Sequence, residues 1–550
     1  MALLIDLFGY LSIILHGLTI AAQSVALGGV LFLAFLARPL APRLGAAGMP
    51  LLRDAARLSA WTAVAMALCS AANVALETAA LAGTLGLPVS GILGAAFAVA
   101  GIVKTAAALL IAALLFARGG RAPVLPLIAL VAVALGAATA TTHAAARLDN
   151  RGVLAAVEAL HQLGAAIWIG GIPCFLIALR HAQDGAAWRL VGARFSRMSM
   201  AGVACILVSG SVMSLLYIGN WQGFYGTAYG VMVGAKIAML LMLLALGGMN
   251  FLLIERLRAD PGTPILRLRR FAEVEIGIGI TIFFAAASLT SVPPAVDLTQ
   301  DRVTWQEIVA RNTPEIPRLV SPDHDTLAIP ALQAKLDAEA ARHAAAPQVA
   351  FVPGSGELPP RNADDIAWSE YNHHWAGLFV VAIGVLALAS RAGLRWARHW
   401  PLLFLLMAAF LFVRSDPEVW PLGRIGFFES LRDVEVLQHR AFVLLVVIFA
   451  LFEWRLQATG RRTGWTPLVF PLMAAGGGAL LLTHSHAIAN IKDQLLIELT
   501  HTPLALTGIV VGWSRWLELR LNPPLSRVAG WIWPAGLVIA GCILLLYREA

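Results

Sequence analysis

"LLTHSHAIANIKDQLLIELTHTPLAL", Leu481–Leu506, is the stretch whose reading decides the fold. It begins apolar, turns polar and becomes apolar again. Taken with the apolar runs near 465–486 and 491–514, it reads as the end of one membrane helix, a short external turn and the start of the next. Three histidines, His484, His486 and His501, fall inside it, where a bilayer would begin. Ionisable groups in a span are costly and usually mark a site or pathway, so their placement needs an explanation.

The whole chain repeats this pattern. Its 550 residues are 59% hydrophobic and 13% charged, with a mean hydropathy of +0.77. A soluble domain is nearer half apolar and a quarter charged. Recurring apolar runs of about 20 residues predict helical spans. The expected fold is all-α, a polytopic membrane bundle of about fourteen helices by span length. Eight lie near 7–36, 58–83, 92–117, 122–145, 152–179, 195–218, 227–254 and 272–292, and six near 369–390, 399–414, 433–455, 465–486, 491–514 and 527–547. Between them 295–367 is polar and rich in Pro, Asp, Arg and Ala. Three parts are expected: an eight-helix membrane domain over 1–294, an external linker or cap over 295–367, and a six-helix domain over 368–550 with a histidine-rich outer face. The N-terminus has no basic leader followed by a cleavage site and reads as a retained helix.

The net charge is +8. Arginines collect in every second loop: Arg38 to Arg57, Arg118/Arg121, Arg180 to Arg197, Arg256 to Arg270, Arg391 to Arg398, Arg455 to Arg462 and Arg515 to Arg527. This is the positive-inside pattern. It places those loops in the cytoplasm and puts both termini and 295–367 outside, in the periplasm if the membrane is a Gram-negative inner membrane. No nucleic-acid motif is present. Cys69, Cys174, Cys205 and Cys542 stand singly in apolar stretches and read as small buried hydrophobes.

On that topology nine of the thirteen histidines share the outer depth: His16, His143, His161, His373, His374, His439, His484, His486 and His501. Carboxylates recur near them, Glu158 with His161, Glu370 with His373, Glu435 with His439 and Glu498 with His501. Spacings of three or four put each pair on one helix face. The glutamate is then a partner orienting the imidazole, or itself a ligand. Polar stripes run along two helices, Ser12/His16/Thr19/Gln23 and Asn490/Gln494/Glu498/His501, and neither suits a lipid-facing surface.

Imidazole suits copper, zinc, iron and nickel, and thioether adds selectivity for Cu(I). Met232, Met239, Met242 and Met249 form a stripe in one span, and Met213 lies in the outer half of the preceding one. Together they outline a conduit along which copper caught outside passes inward. Lys236 interrupts that path and is expected to pair with a buried group such as Glu77, or to gate. Two other readings stay open. Paired histidines on facing helices, such as His439 with His501, could ligate haem b in a membrane cytochrome. The Glu-x-x-His pairs also suit a carboxylate–histidine metalloenzyme. No nucleophile motif, P-loop or dinucleotide fingerprint appears, so a metal transporter or binding protein is expected more than an enzyme.

Three stretches carry a family resemblance: "LHQLGAAIWIGGIP" (160–173), "RFSRMSMAGVACILVSGSVMSLLYIG" (194–219) and "TAYGVMVGAKIAMLLMLLALGGMNF" (227–251). With "HGLTIAAQSVALGGVLFLAFLARPL" (16–40), they resemble the copper resistance protein D family (CopD, PcoD) over about 5–292. The shared features are His161, Trp168-x-Gly170-Gly171, Ser209-Gly210, Tyr229-Gly230, Lys236 and Asn250. The resemblance implies an inner-membrane protein that moves copper inward from the periplasm, often beside a CopC-type periplasmic copper-binding partner. By position it makes His16 and His161 candidates, with His143. The second half, through "SEYNHHWAGLF", "VEVLQHRAFVLL" and the opening stretch, resembles the C-terminal extension of long copper-resistance membrane proteins. It is also similar to CtaG-type copper-assembly proteins of cytochrome oxidase.

Overall fold

The computed structural model describes residues 8–142, 147, 149–298, 302–327, 363–460, 464–483 and 491–549. Among them the regular structure is helical, with one isolated bridge between Val419 and Ile425. Ten helical runs are long and apolar enough to cross a membrane. The first, Phe8–Leu85, has 78 residues, enough for two crossings at about 20 residues each. It turns within Ala41–Ala47, where Gly45 takes a φ of 56°, which favours glycine. Three shorter apolar helices add to the ten. The protein is a polytopic membrane helix bundle.

The principal helices are α1 (Phe8–Phe32), α2 (Gly48–Leu85), α3 (Ala96–Arg118), α4 (Val124–Thr139), α5 (Arg151–Trp168), α6 (Ile172–His181), α7 (Gly185–Tyr217), α8 (Ala228–Ala259) and α9 (Leu266–Leu289). There follow α10 (Trp305–Asn312), α11 (Ala363–Arg391), α12 (Leu402–Arg414), α13 (Val434–Thr459), α14 (Val469–Leu481), α15 (Ile491–Arg520) and α16 (Leu525–Leu545). They form two compact units. One comprises Leu11–Asn220 and Lys236–Val296; the other Met1–Tyr10, Trp221–Ala235 and Asp297–Ala550.

In the first unit, backbone contact at small residues sets the helix positions. Lipid gives no hydrophobic drive between helices, so close packing holds them together. The Trp168-x-Gly170-Gly171 stretch breaks α5 from α6, with the Gly170 N–H donating to the Ala165 carbonyl at 3.1 Å. A Cβ on Gly170 would lie 1.9 Å from the Ser24 oxygen, and one on Gly28 would lie 2.1 Å from the Ala166 oxygen. The α1 and α5–α6 backbones therefore touch where no side chain fits. Gly164 and Gly202 do the same for α5 and α7, a Cβ on Gly164 standing 2.7 Å from the Gly202 oxygen. Thr19 and Gln23 of α1 are buried, and Asn73 donates to the Thr19 hydroxyl at 2.8 Å, so this polar stripe faces protein.

In the second unit, α11 lies on α16 through Gly377 and Gly541. A Cβ on Gly377 would meet the Leu545 nitrogen at 2.6 Å, and one on Gly541 the Val381 nitrogen at 2.5 Å. The core is aromatic, with Trp400, Phe404, Phe449, Phe470 and Trp533 together. At the arginine-rich end Arg515, 2% exposed, donates to Glu453 and Glu518 at 2.6 Å each, and Arg391 also binds Glu518. Residues 302–327 belong to this unit: His324 bonds the Pro417 carbonyl at 2.9 Å, and the Trp375 indole donates to the Leu319 carbonyl at 3.2 Å.

Gly28→Val is expected to collapse the yield of monodisperse protein in detergent, because the new side chain meets backbone and overpacking of this kind costs about 1–3 kcal/mol or more. A normal size-exclusion profile and melting temperature would refute that. A second expectation concerns the loop between α12 and α13. Burial pushes the Glu418 carboxyl up to about 7, helped by Asp416, Glu435 and Asp433. The folded state thus holds this proton more tightly than the unfolded chain. Its contribution to stability is full below the ordinary glutamate range and is lost as pH rises towards about 7. Glu418→Gln should flatten that part of the melting-temperature profile; an unchanged profile would contradict the linkage.

Candidate functional site

Three of the candidate histidines come together in the second unit, each from a different helix: His373 on α11, His439 on α13 and His501 on α15. Asp433 caps the start of α13 by accepting from the Glu435 and Val436 N–H groups at 2.8 and 3.1 Å, which places His439 in the second turn. The His373 and His501 rings stand 6.2 Å apart and nearly perpendicular. Tyr547 stacks on His373 at 3.9 Å. Its hydroxyl donates to Glu549 at 2.9 Å, and Ser369 donates to the same carboxylate. His439 is close enough to act electrostatically on both other histidines.

The hydrogen bonds of these imidazoles fix their tautomers. The Nδ1–H of His373 donates to the Ser369 carbonyl at 2.9 Å, and that of His501 to the Ile497 carbonyl at 3.0 Å, each one turn back. The Nδ1 of His439 meets Asp416 Oδ1 at 2.7 Å. Carbonyl and carboxylate oxygens only accept, so in all three rings Nδ1 carries a proton, and in the neutral ring the lone pair is on Nε2. Asp416 is 5% exposed, and its Oδ2 has no hydrogen-bond partner. A neutral imidazole whose N–H is held by carbonyl or carboxylate is the form that ligates metals.

The first unit repeats the arrangement at His161. Its Nδ1 lies 3.0 Å from the Ser209 hydroxyl, which spends its own proton on the Cys205 carbonyl at 2.6 Å. Ser209 therefore accepts, and Nε2 again carries the lone pair. The close contact of α5 with α7 brings these two residues together. Lys236 lies within electrostatic reach of both His161 and Glu158. Glu158 accepts from Gln162 at 3.0 Å, and Gln162 from Gln23 at 3.0 Å. The expected pairing of Lys236 with Glu77 is not what forms, because Glu77 faces Lys104, which in turn faces His16. His16 and His161 thus each have a lysine beside them and a glutamate within that lysine's reach.

Other candidates are placed differently. His374 is consumed as a structural tie, with Nδ1 accepting from the Arg318 N–H at 2.7 Å and Nε2 donating to the Tyr547 carbonyl at 2.8 Å. Glu370 pairs with Arg318 at 3.4 Å, and Glu498 accepts from Thr502 at 3.1 Å. Glu435 acts on His439 through its charge. Met232 and Met239 are buried, Met213 and Met242 half-buried, and Met249 is 39% exposed, so the methionine stripe has no single environment. His143, His484 and His486 lie outside the described residues. Among the described residues no three of His, Cys, Asp or Glu are gathered closely enough to hold a metal ion. Asp416, Tyr547, Glu549 and Lys104 were not legible as site residues. Asp416 directly follows an arginine-ended apolar run, and Tyr547 and Glu549 sit in the polar tail after the last one. These are weak signals, since their partners lie far away in sequence.

Comparison with known proteins gives two matches. A stretch of 160 residues is 31% identical to the copper transport protein CutJ of Bacillus subtilis (strain 168), covering 28% of this chain and 28% of that protein. No solved structure matches. His16 and His161 precede the segment that matches a family model. That segment, residues 189–289, holds Ser209, Lys236, Asn250 and Glu275, and it matches the copper resistance protein D family, CopD.

Proposed function

We propose that this protein handles copper in a bacterial inner membrane, capturing the ion from the periplasmic side at histidines and passing it inward. The carrying observation is the shared hydrogen bonding: His373, His439 and His501 each hold an oxygen at Nδ1, which in the neutral ring puts the lone pair on Nε2. The CopD match over 189–289 and the likeness to a copper transport protein support copper as the cargo. Both termini are read as periplasmic from the arginine pattern, which puts these histidines where the ion arrives and where a CopC-type donor would dock.

Copper fits this donor chemistry as a soft to borderline ion with affinity for imidazole. His373 and His501 supply the first two nitrogens, and Asp416 makes His439 the most basic of the three by accepting its Nδ1–H. His143, His484 and His486 remain candidate ligands by position. In the first unit His161 is a separate candidate ligand, with Ser209 holding its ring. Lys236 opposes a cation there and Glu158 offsets it. With no ATP-binding element in the sequence, inward movement draws on a gradient or on exchange. No observation favours haem at His439 and His501 over copper.

Metal analysis with an absorption spectrum tests the reading. One or two coppers per chain without haem is expected, and a strong Soret band would overturn it. His373→Ala and His501→Ala should each abolish most copper binding. Asp416→Asn should keep the fold and weaken binding by about 10- to 100-fold, the usual effect of losing a residue that orients a ligand. Copper uptake into proteoliposomes should vanish with His161→Ala; undiminished uptake would remove that residue from the route.

A further inference from the structure

A buried carboxyl group lies at the other end of the first unit, in a place the copper reading leaves unused. Glu275 is on α9, about two and a half turns from the start of the helix at Leu266, in the arginine-rich half. It is 4% exposed. The Asn250 amide donates to its Oε1 at 2.7 Å, and the Trp168 indole N–H also donates to it. Trp168 and Asn250 are themselves 3% and 7% exposed, and the Asn250 Oδ1 has no hydrogen-bond partner.

No cation answers this carboxyl among the described residues. The basic residues of its own helix are engaged elsewhere: Arg267 with the Met249 carbonyl at 3.2 Å, Arg269 with the Leu179 carbonyl at 2.6 Å, and Arg270 with Glu273. The α5–α6 break packs on α9 at Ile169 and Gly279. The ionisable groups of α5 and α6 are Arg151 at the first residue of α5, Glu158 and His161, already described, then Cys174, Arg180 and His181, the last bound to Asp54 at 2.9 Å. On α8 they are Lys236, beside Glu158 and His161, and Glu255, Arg256 and Arg258, near the helix end. None makes an ion pair with Glu275.

A carboxylate buried in hydrocarbon without a cation is costly, and taking a proton removes the charge. Protonation also supplies a donor, and the orphaned Asn250 Oδ1 is the nearby acceptor. We propose that Glu275, held by Asn250 and Trp168, is a reversible proton site that exchanges its proton as copper passes through the unit. The proposal rests on the copper-transport reading for its coupling, but not for the protonation itself.

Infrared spectroscopy of the full chain in nanodiscs reads the proton directly. The wild type should show a carboxylic-acid C=O band that disappears as pH rises, and Glu275→Gln should lack it. Spectra of the two that superpose at every pH would overturn the site. Should Glu275→Gln fail size exclusion, Asn250→Leu replaces it: loss of the amide bond should move the band, and an unmoved band would overturn the site. Proteoliposomes carrying a lumenal pH dye then read coupling. Ascorbate-reduced copper added outside should drive proton movement in the wild type, at least tenfold less in Glu275→Gln, with copper binding retained. Copper movement with equal proton movement in both proteins would overturn the coupling. If the wild type moves no copper at all, the transport reading falls with it, and the infrared band still decides whether Glu275 carries a proton.

Discussion

The bilayer interior offers no water, so each polar group within it must be answered by the protein. This constraint shapes both units. It is why Arg515 sits between Glu453 and Glu518 with Arg391 completing the balance of two positive and two negative charges. It is why His374 spends both ring nitrogens on the backbone. It also explains the glycines: helices that touch backbone to backbone at Gly28 and Gly170, or at Gly377 and Gly541, bring short polar side chains within hydrogen-bond range of the next helix. Ser209 reaches His161 in this way.

The same constraint produces a metal-ready imidazole without extra machinery. A histidine in a helix finds the carbonyl one turn back, as His373 and His501 do, and the bond leaves the lone pair on Nε2. His439 differs, since its acceptor is the carboxylate of Asp416. A carboxylate raises the basicity of the ring it holds more than a carbonyl does, so the three nitrogens are not equivalent. An ion meeting unequal ligands would have a preferred order of engagement, in keeping with the proposed capture and onward passage.

The helices were legible because apolar length alone dictates them, and the Trp168-x-Gly170-Gly171 break because paired glycines interrupt a span. The sequence offered nine histidines as candidates without saying which of them would meet. His373 and His374 are neighbours in sequence and about 100° apart around a helix, so one faces His501 and the other the 318 and 547 backbone. The glutamates three or four residues before the histidines were the strongest local pattern, yet the partners that orient the rings are Asp416, Ser209 and backbone carbonyls. Those partners are set by tertiary contact, and no spacing rule reaches across 23 or 48 residues. Lys236 was misassigned for the same reason, because two lysines and two glutamates of similar depth can be paired in more than one way on paper.

The correct pairing of those lysines has a consequence for charge. Within the spans of the first unit, Lys104 stands with Glu77 and Lys236 with Glu158, two positive charges against two negative. Glu275 is the odd group. With its proton on, the embedded charge of these five residues sums to zero; with the proton off, it is one unit negative. On the proposed route, a monovalent copper ion entering beside His161 would add one positive charge to the same low-dielectric interior, next to a lysine that opposes it. Release of the Glu275 proton would restore the balance without moving any lysine. On the proposed route, one proton given up for one Cu(I) taken in would be the exchange that leaves the charge of these groups unchanged, and the cost of a bare charge in hydrocarbon would favour it.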